Sequence, residues 1–174
     1  MKYLFIYLSL FLVFGCFSLS GAGDVLCKFP TNDPNYFYDL CPLALKGTLR
    51  ASFKTSDDAY DVLFAIGNYA KECNKYMEKS GTRNLDYLAC QWYSEKTIYK
   101  IGDPFNLSRT VNLNGNGILL QYDSDIYHLG CVRKTILSLI CSPSTEFRVT
   151  KTSSPGTCLY QIDIESKYAC RKRK

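Results

Sequence analysis

The sequence predicts an all-β domain, a flattened antiparallel barrel or sandwich stapled by disulfides and carrying one short helix. Three observations lead there. Short segments rich in β-branched and aromatic residues recur between clusters of turn formers, the pattern of strands half buried on a sheet face. Of the nine cysteines in the 174 residues, Cys16 falls in an amino-terminal leader and eight remain. The roughly 150 residues after that leader suffice for one core and are too few for two ordinary domains.

The leader is residues 1–22. Lys2 precedes the apolar run Tyr3-Leu-Phe-Ile-Tyr-Leu-Ser-Leu-Phe-Leu-Val-Phe, and small residues close it at Ser20-Gly-Ala-Gly23. That is the build of a signal peptide cut between about Ser20 and Gly23. The run is shorter than the roughly 20 residues a bilayer span needs and no second one follows, so no transmembrane segment is expected. The expected location is outside the cell, or the lumen of the secretory pathway or endolysosomal system.

Basic residues number 21 and acidic ones 16, but removing Lys2 and the last four residues leaves 16 of each sign. The body, residues 23–170, is therefore neutral and the excess charge is a basic tail, residues 171–174. With no apolar residue to bury, the tail is expected to be disordered and dispensable. A nucleic-acid partner is excluded because the body has no basic excess.

Strands are predicted over Tyr36 to Leu40, Thr48 to Phe53, Tyr60 to Ile66, Leu88 to Tyr93, Thr97 to Ile101, Thr110 to Leu113 and Ile118 to Tyr122. Turn signals separate them, among them Thr31-Asn-Asp-Pro34, Thr55-Ser-Asp-Asp58 and Asn114-Gly-Asn-Gly117. The helix is predicted over Asn68 to Ser80, with Asn68 as its cap and Gly81 as its stop. Asn106-Leu-Ser108 is a glycosylation acceptor in a chain bound for export.

The last third holds two further strands. In strand phase Arg133, Thr135, Leu137, Leu139 and Cys141 share one face of the first, and Cys158, Tyr160, Ile162 and Ile164 share one face of the second. A guanidinium and a phenol thus look out from neighbouring strands over one shallow site. Cys27, Cys41, Cys73, Cys90, Cys131, Cys141, Cys158 and Cys170 are an even set in an exported chain and read as disulfides, with roughly a hundred pairings open. Zinc is disfavoured, since the chain has no Cys-x-x-Cys and a single histidine; neither metal nor cofactor is expected.

Several strings in order resemble the mannose 6-phosphate receptor homology family: Tyr38-Asp-Leu-Cys-Pro-Leu43, Ala89-Cys-Gln91, Gly117-Ile-Leu-Leu-Gln-Tyr122, Cys131 with Arg133-Lys-Thr-Ile-Leu-Ser-Leu-Ile-Cys141, and Cys158-Leu-Tyr-Gln-Ile-Asp-Ile-Glu-Ser-Lys-Tyr-Ala-Cys170. They span nearly the whole mature chain. The resemblance implies interlaced bonds, Cys131 with Cys158 and Cys141 with Cys170. In the first half the chain departs from the family, with Phe64-Ala-Ile-Gly67 where a cysteine commonly stands and Cys41 in place of a serine. There Cys27 is expected to join Cys41 and Cys73 to join Cys90.

The resemblance also implies a site. Members that bind mannose use a glutamine and an arginine on the axial 2-hydroxyl, and a glutamate and a tyrosine on the 3- and 4-hydroxyls. By motif these are Gln91, Arg133 and Tyr160. The glutamate is missing, because Phe147 to Thr157 contains no carboxylate. Asp125 and His128 fall in the loop that borders the phosphate in receptors of this family. Catalysis has little support, since a nucleophile would have to rely on His128 and the pair Asp57-Asp58 reads as solvated charge in a turn.

The expectation is a secreted lectin-like domain, not an enzyme, that recognises mannose-containing N-glycans or glycoproteins, phosphorylated ones among them, weakly for want of the glutamate. The alternative is a protein-interaction domain of the same fold that binds no sugar.

Overall fold

The computed structural model describes residues 27–56, 58–79, 87–94, 97–103, 107–111, 116–128, 130–156 and 158–174; the side chains of 76–79, 107–111 and 125–128 are outside that description. The leader, Asn106 and the side chains of Asp125 and His128 therefore lie outside the described residues.

The described residues form three sheets. Strands β3 (Leu49–Lys54), β4 (Ala59–Phe64), β5 (Ala89–Ser94) and β6 (Thr97–Gly102) make an antiparallel meander. Strands β7 (Leu107–Val111), β8 (Gly117–His128), β9 (Cys131–Cys141), β10 (Arg148–Gly156) and β11 (Leu159–Ser166) make a second sheet in the order β10-β11-β9-β8-β7. A small third sheet joins β1 (Lys28–Pro30), β2 (Tyr36–Asp39) and β12 (Lys172–Arg173).

Alternation decides which residues go inside. On β3, Leu49, Ala51 and Phe53 are buried between exposed neighbours, and on β11 Tyr160, Ile162 and Ile164 are buried between half-buried ones. With Val62, Phe64, Leu120, Leu137 and Leu139 they form one core between the two large sheets, each fully buried aliphatic contributing about 1.5–3 kcal/mol. Strand β4 is buried on both faces, because Leu63 points away from that core into a second cluster with Ala70, Cys73, Tyr87 and Cys90. That cluster lies under helix α2 (Lys71–Lys79).

Strand β6 comes close to the second sheet at Gly102. A Cβ there would stand 2.8 Å from that of Tyr122 and 3.1 Å from that of Ala89, so glycine is needed for the approach. The join is completed by Thr135, whose hydroxyl donates to the Ile101 carbonyl at 2.9 Å, and by the Asp103 N–H, which donates to the Asp123 carbonyl at 3.0 Å. On the far side Thr152 Oγ1 donates to the Ser52 carbonyl at 3.0 Å. The result is a flattened sandwich.

Four disulfides are present: Cys27–Cys41, Cys73–Cys90, Cys131–Cys158 and Cys141–Cys170. The last two explain the one departure from antiparallel pairing among the described strands. They tie start to start and end to end, so β9 and β11 run parallel, from Leu159 opposite Lys134 to Ser166 opposite Cys141. Helix α2 starts at Lys71 instead of Asn68, whose Oδ1 accepts from the Tyr69 N–H at 2.8 Å and so holds the preceding turn. A four-residue helix α1 (Cys41–Ala44), with Pro42 in its first turn, was not expected.

The basic tail corrects the expectation of disorder. Lys172–Arg173 pairs antiparallel with β2, whose second edge would otherwise be unpaired. Lys172 Nζ reaches the Asp39 carboxylate at 2.9 Å, the Arg171 guanidinium lies 4.7 Å above the Tyr36 ring, and the Lys174 N–H donates to the Asn35 carbonyl at 2.9 Å. Charge and backbone, not burial, order this segment. Deleting residues 171–174 is expected to lower the thermal midpoint by about 2–4 °C, the equivalent of roughly 1 kcal/mol in a domain of this size. Partial burial pushes the Asp39 carboxyl up, but Lys172, the Cys41 N–H and Lys28 together hold it below its ordinary value of 3.8. The Lys172 contribution is therefore present above that value and is lost as pH falls through the depressed folded one. Thermal melts of both forms across pH 2–7 should show the gap narrowing in acid; an equal midpoint at pH 7 would show that the strand adds nothing.

Candidate functional site

A cleft of about 660 Å³ opens where the meander meets β9, β10 and β11, lined among others by Tyr60, Gln91, Tyr93, Tyr99, Arg133 and Tyr160. Gln91, Arg133 and Tyr160, on three different strands, thus converge.

Each is aimed by strand phase and by a neighbour. Cys90 faces outward to bond Cys73 beneath α2, which turns the flanking Gln91 inward, where it is 4 % exposed. Its amide is fixed at both ends: Oε1 accepts from the Tyr160 hydroxyl at 2.8 Å, and Nε2 donates to the Tyr93 hydroxyl at 2.9 Å. Tyr93, two residues along β5, shares the face of Gln91. Arg133 and Tyr160 each stand two residues after a cysteine of the Cys131–Cys158 bond, so that staple sets the spacing of guanidinium and phenol.

Arg133 is 8 % exposed, and its guanidinium carbon lies 4.5 Å above the Tyr99 ring. Stacking on an aromatic face satisfies part of a buried guanidinium, yet Nε is buried without a hydrogen-bond partner. An unmet N–H of a charged donor is costly to keep, about 1–3 kcal/mol or more, and is common where a ligand completes the set.

The tyrosines form a continuous aromatic wall. Phe53 stacks on Tyr60 at 5.3 Å, Tyr60 meets Tyr93 at 5.2 Å, and Tyr60 meets Tyr160 edge to face at 6.2 Å. Burial pushes the Tyr160 hydroxyl up to about 12; Arg133 draws it partly back, while Tyr60 and Tyr99 add to the rise. Burial also raises the Tyr93 hydroxyl, and the negative charge of Asp58 adds to the rise. These phenols are therefore hydrogen-bond donors at neutral pH, and Tyr160 spends its proton on Gln91.

Ser154 of β10 lines this cleft, whereas Pro155 lines a separate groove beside Cys131 and Cys158. Asp58, exposed in its turn as a solvated charge should be, lines it as well. The signal was available, since Asp58 precedes Tyr60 by two residues and so shares its strand face. Thr55, Thr97 and the tyrosines at 60, 93 and 99 were also absent from the expected set. Among the described residues no group of three or more His, Cys, Asp or Glu side chains converges as a metal site would require.

The chain is similar to several solved structures. One is domain 11 of the echidna mannose 6-phosphate/IGF2R receptor, at 17 % identity and a TM-score of 0.54, covering 83 % of this chain and 94 % of that one. Two others are the MRH domain of glucosidase II beta bound to mannose, at 15 % and 0.41 over 70 % and 93 % of the chains, and the MRH domain of Yos9 complexed with alpha3,alpha6-Man5, at 15 % and 0.37 over 82 % and 76 %. No family model matches the sequence, and no curated protein does. The likeness to the receptor domain shows the fold, which is that of mannose 6-phosphate receptor homology domains.

Proposed function

We propose that the cleft binds carbohydrate and that the chain is a lectin-like domain of the secretory pathway or the extracellular space, recognising mannose-containing N-glycans. The observation that carries this reading is the meeting of Gln91, Arg133 and Tyr160 in one cleft, with Arg133 Nε left unpaired. Amide and guanidinium donors beside an aromatic wall suit a sugar: hydroxyls take the donors and the C–H face of the ring takes the phenols. Four disulfides fit an oxidising compartment. A phosphorylated mannose, with the segment of Asp125 and His128 bordering the phosphate, belongs to the same reading, as does Asn106 as a glycosylated residue.

The test is a glycan array on the refolded mature chain, where signal confined to terminal mannose supports the reading. A silent array with a fully folded chain favours the second reading, a domain that binds protein. What speaks for that one is β10, which carries no carboxylate from Arg148 to Gly156.

Position 154 separates the two further. A glutamate introduced as Ser154→Glu reaches the cleft, whereas Pro155→Glu, exposed and bordering the other groove, does not. Titration calorimetry with methyl α-mannoside should show a gain for the first variant alone, a part of the roughly 10- to 150-fold that one charge-assisted contact is worth, and no gain for the glucoside. Equal behaviour of both variants would detach β10 from the site.

A further inference from the structure

Resting on that reading, we propose that Asp58 supplies the acceptor carboxylate of the glycan site, entering from the β3–β4 turn instead of from β10. Sugar recognition needs an acceptor for ligand hydroxyls as well as the donors of Arg133 and Gln91, and Asp58 is the acidic side chain among the described cleft residues.

Its placement is built, not incidental. The Asp58 N–H donates to Thr55 Oγ1 at 3.0 Å, and the Asp58 carbonyl accepts from the Thr55 N–H at 2.8 Å. Within the side chain, Oδ1 accepts from the Ala59 N–H at 2.9 Å. A carboxylate has about four acceptor positions, so this bond orients it and leaves the others for ligand. It is exposed on the cleft side of its turn. It faces the chain of bonds that runs from Tyr160 through Gln91 to Tyr93, all of them residues of the same cleft.

Asp58 also stands near the position it replaces. Both Asp58 and Ser154 line the cleft beside Tyr60, whose hydroxyl is raised first by burial and then by the negative charge of Asp58. A carboxylate at 58 and one at 154 would therefore reach into the same cleft, the first from the β3–β4 turn and the second from β10.

The test is titration calorimetry of the mature chain with the pentasaccharide alpha3,alpha6-Man5, comparing the native chain with Asp58→Asn, Asp58→Glu, Asp58→Asn combined with Ser154→Glu, and Arg133→Ala, each first shown by circular dichroism to be folded. Asp58→Asn should weaken binding about 10- to 150-fold. Asp58→Glu should stay within a few fold of native, and the double variant should recover at least part of the loss. Native-like affinity of Asp58→Asn alongside loss in Arg133→Ala would overturn the role of Asp58 and leave the sugar site standing. Equal losses in Asn and Glu variants, with no recovery from position 154, would reduce Asp58 to a turn residue. A native chain silent towards the pentasaccharide would overturn both this inference and the reading beneath it.

Discussion

Arg133→Ala is expected to abolish detectable mannose binding while the domain still folds. The guanidinium is the one charged donor among the described residues of the cleft wall, and removing a charge-assisted contact of about 1.5–3 kcal/mol lowers affinity roughly 10- to 150-fold, which takes a micromolar sugar site towards the millimolar range. Stability should move the other way. Arg133 is buried with Nε unpaired, so the folded state carries a desolvation cost that an apolar side chain of similar length removes. Arg133→Met should accordingly bind nothing and melt about 2–4 °C higher, a gain of roughly 1 kcal/mol. Normal retention of the alanine variant on a mannose column would put the site elsewhere. A methionine variant that melts several degrees lower would show the arginine to be structural.

The two staples of the β9–β11 pair should separate stability from binding. They close loops of 27 and 29 residues, and on chain-entropy grounds removal of either, as a paired Cys→Ser substitution, costs about 3–4 kcal/mol and lowers the midpoint by roughly 10 °C. Their effects on the cleft should differ. Cys131 and Cys158 lie two residues from Arg133 and Tyr160, whereas Cys141 and Cys170 tie the far end of the pair. Below its melting range the chain without Cys141–Cys170 should keep its glycan affinity, and the chain without Cys131–Cys158 should lose most of it. Equal affinities in calorimetry at about 10 °C, where both forms remain folded, would mean that the strand ladder alone sets the spacing.

Much of the frame was legible because burial there follows alternation. Segments such as Leu49–Lys54 and Leu159–Ser166 write their inward face in every second residue, and the interlaced cysteines, once placed by resemblance, require β9 and β11 to run in parallel. What escaped the sequence has physical causes. Strand β10 reads Arg-Val-Thr-Lys-Thr-Ser-Ser-Pro-Gly, an edge strand with little buried surface and a ladder broken by bulges, so its pattern carries no hydrophobic signal. Strand β12 has no apolar residue and exists because β2 offers an edge and Asp39 a charge. In the cleft, Gln91, Arg133 and Tyr160 were accessible through their motifs. Strand phase put Asp58 on the face of Tyr60, but that its turn opens into the same cleft as β5, β9 and β11 is a tertiary fact that neither propensity nor local phase contains. The bonds from Tyr160 through Gln91 to Tyr93 likewise exist only once separate strands are side by side.

The small sheet that joins β2 to β12 has a consequence on the time axis. Lys172 and Asp39 are 133 positions apart, and the pairing of β9 with β11 must likewise wait for β10 to be traversed. A topology this rich in distant partners folds slowly, on the scale of milliseconds to seconds even with its cysteines already matched, because each long loop must close before any contact rewards it. Until the last strand arrives, β2 presents a bare edge of the kind that recruits other chains. Refolding at high protein concentration should therefore lose material to aggregation during that interval, and the loss should grow when the final residues are absent.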